Sequence, residues 1–552
     1  MSLEALLEAG KAKGASIDPR ISFLNTDSSG LSAFAKVTEE EGAKFPISIQ
    51  IPNSLIIKPE NAIEDLDVTT GKIDSLILFK FYLACLRLGI VSNDNFKAYI
   101  DLLPDATQIH SPLSMDYKSL YVFENTALNS SVVERKLELL RKDFVQVSSL
   151  NSKVSFSDYL WAHLIVTSRA FPYRIVNPNA LSHEVMLLPI VDLLNHKPHA
   201  KVEWSSNSDG DFKLSILKST GQSGKFEIFN NYGPKGNAEL LMGYGFVLED
   251  NEFESLQLSL TLDIALKTNL LTEWKIVLPV LSDFTNNAFE TKDTDTAAGS
   301  DDTTVFMLNI FRPIPDGLLE LFCYINRNAC DKGMTLKNTM NGLNQLRQSL
   351  EAKYMNKLDK MPGYDNQFIS EREYWNAKTF RQGQLKIYNC TKAEIKLREK
   401  RLLKEHRKYF ITLKDIFKKD EEFQEFIDVC GWNKEMDELD KSEMELMLRL
   451  WVMKTVNYSS INNNTTVITP RIDAQWIIDL FYEEPEPTAL DDEFMTDLYG
   501  QLIPALKENY PELIKGDRWR LEDWLKIDQL VSENSYEKGK TQEPLLIKPL
   551  EL

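Results

Sequence analysis

At 552 residues the chain is longer than one hydrophobic core normally organises, so roughly two to four domains are expected. A hydrophobic fraction of 43% beside 26% charged residues excludes a mostly disordered chain. The 63 Lys+Arg are outnumbered by 82 Asp+Glu, a net charge of −19, which disfavours a general binder of nucleic-acid phosphates and fits either a basic protein or peptide partner or an acidity that only keeps the protein soluble.

The opening MSLEALLEAGKAKGAS has neither a basic start with an apolar stretch nor a small-residue cleavage site, so it does not read as a secretory signal. Residues 1–20 are read as a lead-in. Between Ile21 and Ile57, Phe34, Val37, Ile47, Ile49 and Ile51 alternate among Gly and Ser in the manner of hairpins. Helical spacing then takes over at Leu76–Leu88, Val132–Phe144 and Phe156–Ser168. The stretch Leu76–Val91 is interrupted by Lys80 and Arg87 and falls short of the ~20 apolar residues of a membrane span, so a buried helix is expected and no membrane partner.

Strand patterns return at Val185–Leu188, Val202–Trp204, Phe212–Ile216 and Phe226–Asn230, which makes the first half α+β. The polar, acidic run 286–305 reads as a mobile surface loop. Helical patterns dominate beyond it, and residues 391–417 read as one long helix with Ile395, Leu402, Leu403, Tyr409, Phe410, Leu413 and Phe417 mainly on one face. The basic stretch Arg398–Lys408 permits nuclear import, so a nuclear location is expected, with the cytoplasm as the alternative. Cys85, Cys323, Cys330, Cys390 and Cys430 show no CxxC or CxC pairing, so no zinc site or disulfide framework is expected.

The GxGxxG turn of Rossmann methyltransferases is absent, as are a P-loop, an HExxH helix and a GxSxG elbow. What remains is an ordered set of segments: the Gly turn of Ser28–Ala33, then Ser168–Phe171 at a helix end, then Leu188–His196 with the sequence LPIVDLLNH. Phe229–Gly233 (FNNYG), Asn237–Leu241 (NAELL) and Gly243–Val247 (GYGFV) follow. Taken alone, each has an ordinary reading: a connecting turn, a helix-end charge at Arg169, a helix or strand cap at Asp192, a half-buried turn residue at Tyr232. His196 with His199 makes a weak metal pair lacking a third ligand, so no metal is expected.

In this order the segments resemble the SET-domain protein methyltransferases, in the branch that includes the Rubisco lysine methyltransferases. The likeness is densest from about residue 20 to 255 and thinner to about 450, and Tyr99–Pro104 resembles part of that branch's insert. It implies a SET β-fold at 21–255 with a helical insert at about 70–165, a mostly α-helical substrate-binding domain at 256–480, and a C-terminal extension at 481–552. It also implies S-adenosyl-L-methionine as cofactor and transfer of its methyl group to a protein lysine. The fungal enzymes that modify ribosomal proteins are the most similar branch members, which implies a large-subunit ribosomal protein as substrate; a monomer without direct nucleic-acid contact is expected. The cysteine-rich zinc clusters of many histone-modifying members are missing here.

Lysine has a pKa of about 10.4, so only about one amine in a few thousand is neutral at pH 7, and a narrow apolar channel favours the reactive form by stripping water from the ammonium. A fixed hydroxyl at the channel's end then positions the amine, a role the resemblance gives to Tyr232. By the same resemblance Gly30 and Leu31 meet the cofactor with backbone groups, and Arg169 lies near its carboxylate. Asn195 meets it through the side-chain amide, His196 through backbone contacts with the adenine, and Tyr232 borders it too, while Asp192 and Tyr244 hold the target chain. The spacing from Tyr232 to Tyr244 is one residue shorter than in the plant enzymes, a departure that bears on Tyr244. Three other functions stay open at this point: a methyltransferase for a non-ribosomal protein, a SET-derived scaffold that binds a basic partner without turnover, and a helical adaptor built on residues 300–480.

Overall fold

The computed structural model describes residues 3–26, 30–37, 46–68, 71, 73–217, 224–279, 303–432, 438–461, 472–483, 493–538 and 543–552. The chain packs as two units. The first comprises Met1–Leu262, Pro279–Pro313 and Lys353–Asn389, and the second Asp263–Leu278, Ile314–Ala352 and Cys390–Leu552.

Two antiparallel sheets frame the first unit. Helix α1 (Leu3–Ala12) leads into β1 (Ser16–Ile17), which pairs with β4 (Ile47–Ile51), while β2 (Ile21–Thr26) and β3 (Gly30–Val37) form a hairpin with Thr26 opposite Gly30. In β4 the alternation ISIQI sends Ile47, Ile49 and Ile51 fully into the core, as a period-two pattern dictates. The helical insert follows: α2 (Pro59–Asp65), α3 (Ser75–Arg87), α4 (Lys97–Ile100), α5 (Ala106–Ile109), α6 (Ser130–Val147) and α7 (Phe156–Arg169). Asp74 caps α3 by accepting from Leu76 N at 2.9 Å, and Ser155 forms a reciprocal capping box with Asp158 at the start of α7. Among the described residues, no helix is long and apolar enough to cross a membrane. The remaining strands of this part are β5 (Ala170–Pro172), β6 (Val185–Leu187), β7 (Val202–Ser206), β8 (Phe212–Ile216) and β9 (Gly224–Glu227). They complete the sheet orders β1-β4-β8-β7 and β2-β3-β9 and the pair β5-β6.

Several expected boundaries move. Residues 1–20 are not a lead-in, because Leu6 and Ala15 are buried in the first core and β1 extends its larger sheet. The first unit does not stop at 255 either. Strand β10 (Leu256–Thr261) pairs along its whole length with β11 (Thr303–Leu308), Leu256 opposite Leu308. Thr303–Val305 are therefore strand, and the rest of the expected loop, 286–302, lies outside the described residues. A second return comes with residues 353–389, tied to the insert by buried Arg381, which donates to Val122 O at 3.0 Å and Glu124 O at 2.6 Å. A run of sequence carries no mark of so distant a partner.

The second unit is helical but not wholly so. Its core joins Trp451, Ile477 and Phe426 to Trp524, Ile527, Leu530 and Leu546, so residues 481–552 share a core with the preceding helices and form no separate extension. The single helix expected over 391–417 is instead the end of Glu371–Glu405, a 3-10 turn at Arg407–Tyr409, the strand β12 (Phe410–Thr412) and a new helix at Leu413–Lys419. Thr412 caps that helix through Asp415 N at 2.9 Å, and the aromatic and β-branched run before it pairs with β14 (Glu543–Ile547) in the sheet β12-β14-β13, where β13 is Ser535–Lys538.

Candidate active site

Strand pairing delivers the site's two ends to each other. Helix α7 finishes at Arg169, and β5 immediately pairs with β6, Ala170 opposite Leu187, which brings the start of Leu188–His196 alongside. Ile190 then adopts φ 75° and ψ −45°, a left-handed conformation that costs a β-branched residue on the order of 1–3 kcal/mol. Complete burial of Ile190 holds it there, and α1 comes so near that a Cβ on Gly10 would lie 2.9 Å from Ile190 Cδ1. The turn releases the chain through Val191–Leu193 into an extended stretch at Asn195 and His196. There it runs parallel to the segment following β9, with Asn230 N donating to Asn195 O at 2.8 Å and Lys197 N to Asn230 O at 3.1 Å.

Tyr232 sits at this crossing. Its backbone N–H donates to His196 Nδ1 at 3.1 Å, its phenol donates to Leu194 O at 2.8 Å, and its ring stacks on His196 at 4.8 Å and on Tyr244 at 5.1 Å. Burial raises the phenol well above the ordinary tyrosine value, with Arg169 opposing, so it stays protonated. His196, accepting at Nδ1, carries its proton on Nε2, and burial pushes it down to about 4; it is neutral at physiological pH.

Arg169 and Asp192 form the charged pair of the site. Arg169 Nη1 lies 3.1 Å from Asp192 Oδ2 and donates to Asp192 O at 3.2 Å, while Tyr99 OH donates to the same Oδ2 at 2.6 Å. The Asp192 side chain is 1% exposed, so burial drives its carboxyl upward against the pull of Arg169 and Tyr99. Asn195 uses its amide protons on Ser32 Oγ (2.9 Å) and Glu227 Oε1 (2.8 Å), which leaves its carbonyl oxygen for a ligand. Tyr99 opens the segment Tyr99–Pro104 and Ser32 lies in the Gly turn Ser28–Ala33, but neither these two nor Glu227 receives a site role from the sequence, because in each case the partner lies more than 30 residues away.

Two cavities meet here. The first, about 1160 Å³, is lined by all the residues expected from the sequence: Gly30, Leu31, Arg169, Asp192, Asn195, His196, Tyr232 and Tyr244. The second, about 550 Å³, is walled by Phe171, Val202 and Trp204. Ser168, Arg169, Asp192, Tyr232 and Tyr244 line both, so one partition separates them. The first also takes Arg372, Trp375 and Asn376 from the helix Glu371–Glu405, none anticipated from the sequence. Among the described residues, no group of three or more His, Cys, Asp or Glu is arranged to hold a metal ion.

A family model described as the EFM1 middle domain matches residues 275–406. The chain is 30% identical over 484 residues to ribosomal lysine N-methyltransferase 1 of Saccharomyces cerevisiae, covering 77% of this chain and 81% of that one. It is 25% identical over 602 residues to the protein-lysine N-methyltransferase EFM1 of the same yeast, covering 99% and 97%. Among solved structures, the SET domain of LSMT bound to lysine and AdoHcy superposes with a TM-score of 0.54 at 15% identity, covering 78% of this chain and 99% of that chain. Rubisco LSMT bound to AdoMet superposes with a TM-score of 0.52 at 16% identity, covering 73% and 93%. These structural likenesses carry the SET fold.

Proposed function

Because the chain belongs to the SET-domain protein-lysine methyltransferases related to the fungal ribosomal enzymes, we propose that it methylates a lysine of a basic protein, a large-subunit ribosomal protein, drawing the methyl group from S-adenosyl-L-methionine. The observation that carries this reading is the partition bearing Tyr232, which puts a roomy cavity lined by Gly30, Asn195 and His196 on one side and a smaller one walled by Phe171 and Trp204 on the other.

The residues lining the first cavity fit the cofactor. Asp192 Oδ1 and His196 Nε2 are buried polar atoms without a hydrogen-bond partner among the described residues. Gly30, at φ 68°, would carry a Cβ into open space, so its backbone is accessible to a ligand. The Asn195 carbonyl suits an ammonium, and Arg169 supplies a cation at the partition. S-adenosylmethionine supplies, when bound, a methyl group on a positively charged sulfur. The second cavity takes the target side chain: Phe171 and Trp204, 5.2 Å apart edge to face, strip water from the ammonium and favour loss of its proton to solvent. Tyr232, locked on Leu194 O and kept as a phenol, positions the arriving amine without titrating. The Asp192–Arg169 pair keeps the partition close to neutral, so neither charge alone traps the lysine as an ammonium.

The test is incubation with labelled cofactor and separated ribosomal proteins. Label on a lysine of a large-subunit protein, abolished in Asn195→Ala and Tyr232→Phe, is the expected result. Label confined to other proteins would overturn the substrate, and no labelled lysine under any condition would overturn the activity. We further propose that the protein works as a monomer without direct nucleic-acid contact, and in the nucleus, the last resting on the basic stretch Arg398–Lys408; fluorescence of a tagged full chain checks the location.

A further inference from the structure

The first cavity has one wall that the motifs do not account for. Its volume of about 1160 Å³ lies at or beyond the upper end of the roughly 300–1,000 Å³ that hold a drug-sized ligand. Arg372, Trp375 and Asn376 contribute to its lining, and the spacing i, i+3, i+4 puts all three on one face of their helix. These residues arrive more than 120 positions after the GYGFV segment, within the stretch 275–406 that matches the EFM1 middle-domain model.

The helix end is fastened, so this wall is built rather than passing by. Ser370 caps it through a reciprocal box with Glu373, whose carboxylate also lies 3.4 Å from His110 Nδ1 and is held down at about 2, chiefly by that contact. Asn376 Nδ2 donates to Gly245 O at 3.2 Å, between Tyr244 and Phe246 of the cavity lining. Tyr374 and Tyr121 clasp the approach to the helix by donating to Pro362 O and Gly363 O, each at 2.9 Å.

On this rigid turn stand two side chains without a structural occupation. Trp375 is 45% exposed at the cavity's edge. Arg372 is exposed and forms no ion pair among the described residues, whereas the guanidinium of Arg169 is already engaged with Asp192. A flat indole and an unengaged guanidinium on one face match the two ends of the expected cofactor, a purine and a carboxylate. Building on the function proposed above, we propose that Trp375 stacks on the adenine and Arg372 pairs with the carboxylate of the bound cofactor, so that the helix Glu371–Glu405 forms a third, downstream wall of the cofactor site.

Calorimetric titration of the full chain with S-adenosylhomocysteine and with 5′-methylthioadenosine, which keeps the adenosyl thioether and lacks the amino-acid carboxylate, separates the two roles. Trp375→Ala is expected to weaken both ligands about tenfold. Arg372→Gln is expected to weaken S-adenosylhomocysteine about tenfold and leave methylthioadenosine unchanged. Both side chains are exposed, and unchanged unfolding midpoints for the unliganded variants establish that they fold. If the wild type binds and both variants match it, or if only the KM for the protein substrate rises, the third wall is overturned while the methyltransferase reading stands. If the wild-type chain binds neither ligand, the function itself fails.

Discussion

Tyr232 owes its position to two hydrogen bonds and two stacked rings, yet only its phenol oxygen faces the chemistry proposed for it. Tyr232→Phe therefore keeps the stacking and the backbone contact with His196 while losing the fixed hydroxyl. We expect kcat to fall about 10²-fold or more, with cofactor affinity nearly unchanged, in single-turnover assays. Glu254 behaves differently, because it is 6% exposed, accepts from Gln384 Nε2 at 3.1 Å and keeps Oε2 without a partner among the described residues. Burial lifts its carboxyl to about 7. A folded-state pKa above the unfolded one means that the folded protein holds the extra proton: this stability is complete below about pH 4.5 and is lost as pH rises through about 7. Glu254→Gln should remove that dependence and raise stability at pH 8 by up to about 3 kcal/mol, read from urea unfolding at pH 5 and pH 8. His196 works in the opposite direction. Its pKa, depressed to about 4, makes stability fall as pH drops from about 6.5 towards 4, and His196→Asn, which keeps an acceptor for Tyr232 N, should flatten the melting temperature over that window. At this scale the sequence was most legible where residues clustered in motifs. Asn195, His196 and Tyr232 stand in DLLNH and NNYG and line the first cavity, whereas Glu254 stands in no motif and Tyr99, at the start of Tyr99–Pro104, takes its role from a partner remote in the chain.

Helix α8 (Asn237–Tyr244) shows how an element is stopped and stitched at once. Gly245 ends it at φ 74°, and a Cβ there would lie 1.5 Å from Ile109 O, inside the backbone of the insert. No rotamer change relieves a backbone clash. Gly245→Ala should destabilise the first unit by more than about 3 kcal/mol, seen as a lowered urea midpoint or as loss of soluble protein. Elements with local causes were legible in advance: α3, α7 and β4 follow their periodicities and caps, and their observed limits lie within a few residues of those expected. The helix expected over 391–417 is broken by β12, which is three residues long and acquires its identity from β14, more than 130 residues later. Heptad-like spacing around Phe410 and Leu413 survives such a break, since a strand between two helices can bury the same apolar positions.

For the molecule as a whole, order along the chain and grouping in space part company. The first unit recruits 279–313 and 353–389, and the second takes 263–278 from between them. A chain ended at Leu262 would thus lose the partner strand of β10 and the anchors Arg381 and Gln384. It should be poorly soluble and fail to bind S-adenosylhomocysteine in calorimetry, although it contains every segment from the Gly turn to GYGFV. The limit expected at 255 lies where the family likeness thins, and such a likeness does not report which distant segment completes a core.

Leu3 and Asn376 border one and the same cavity. A chain leaving the ribosome at about 5–20 residues per second therefore spends on the order of 20–75 s with that chamber open on one side. The motif-bearing segments emerge long before Asn376, so an unfinished polypeptide lacks one part of this lining until the final third of synthesis.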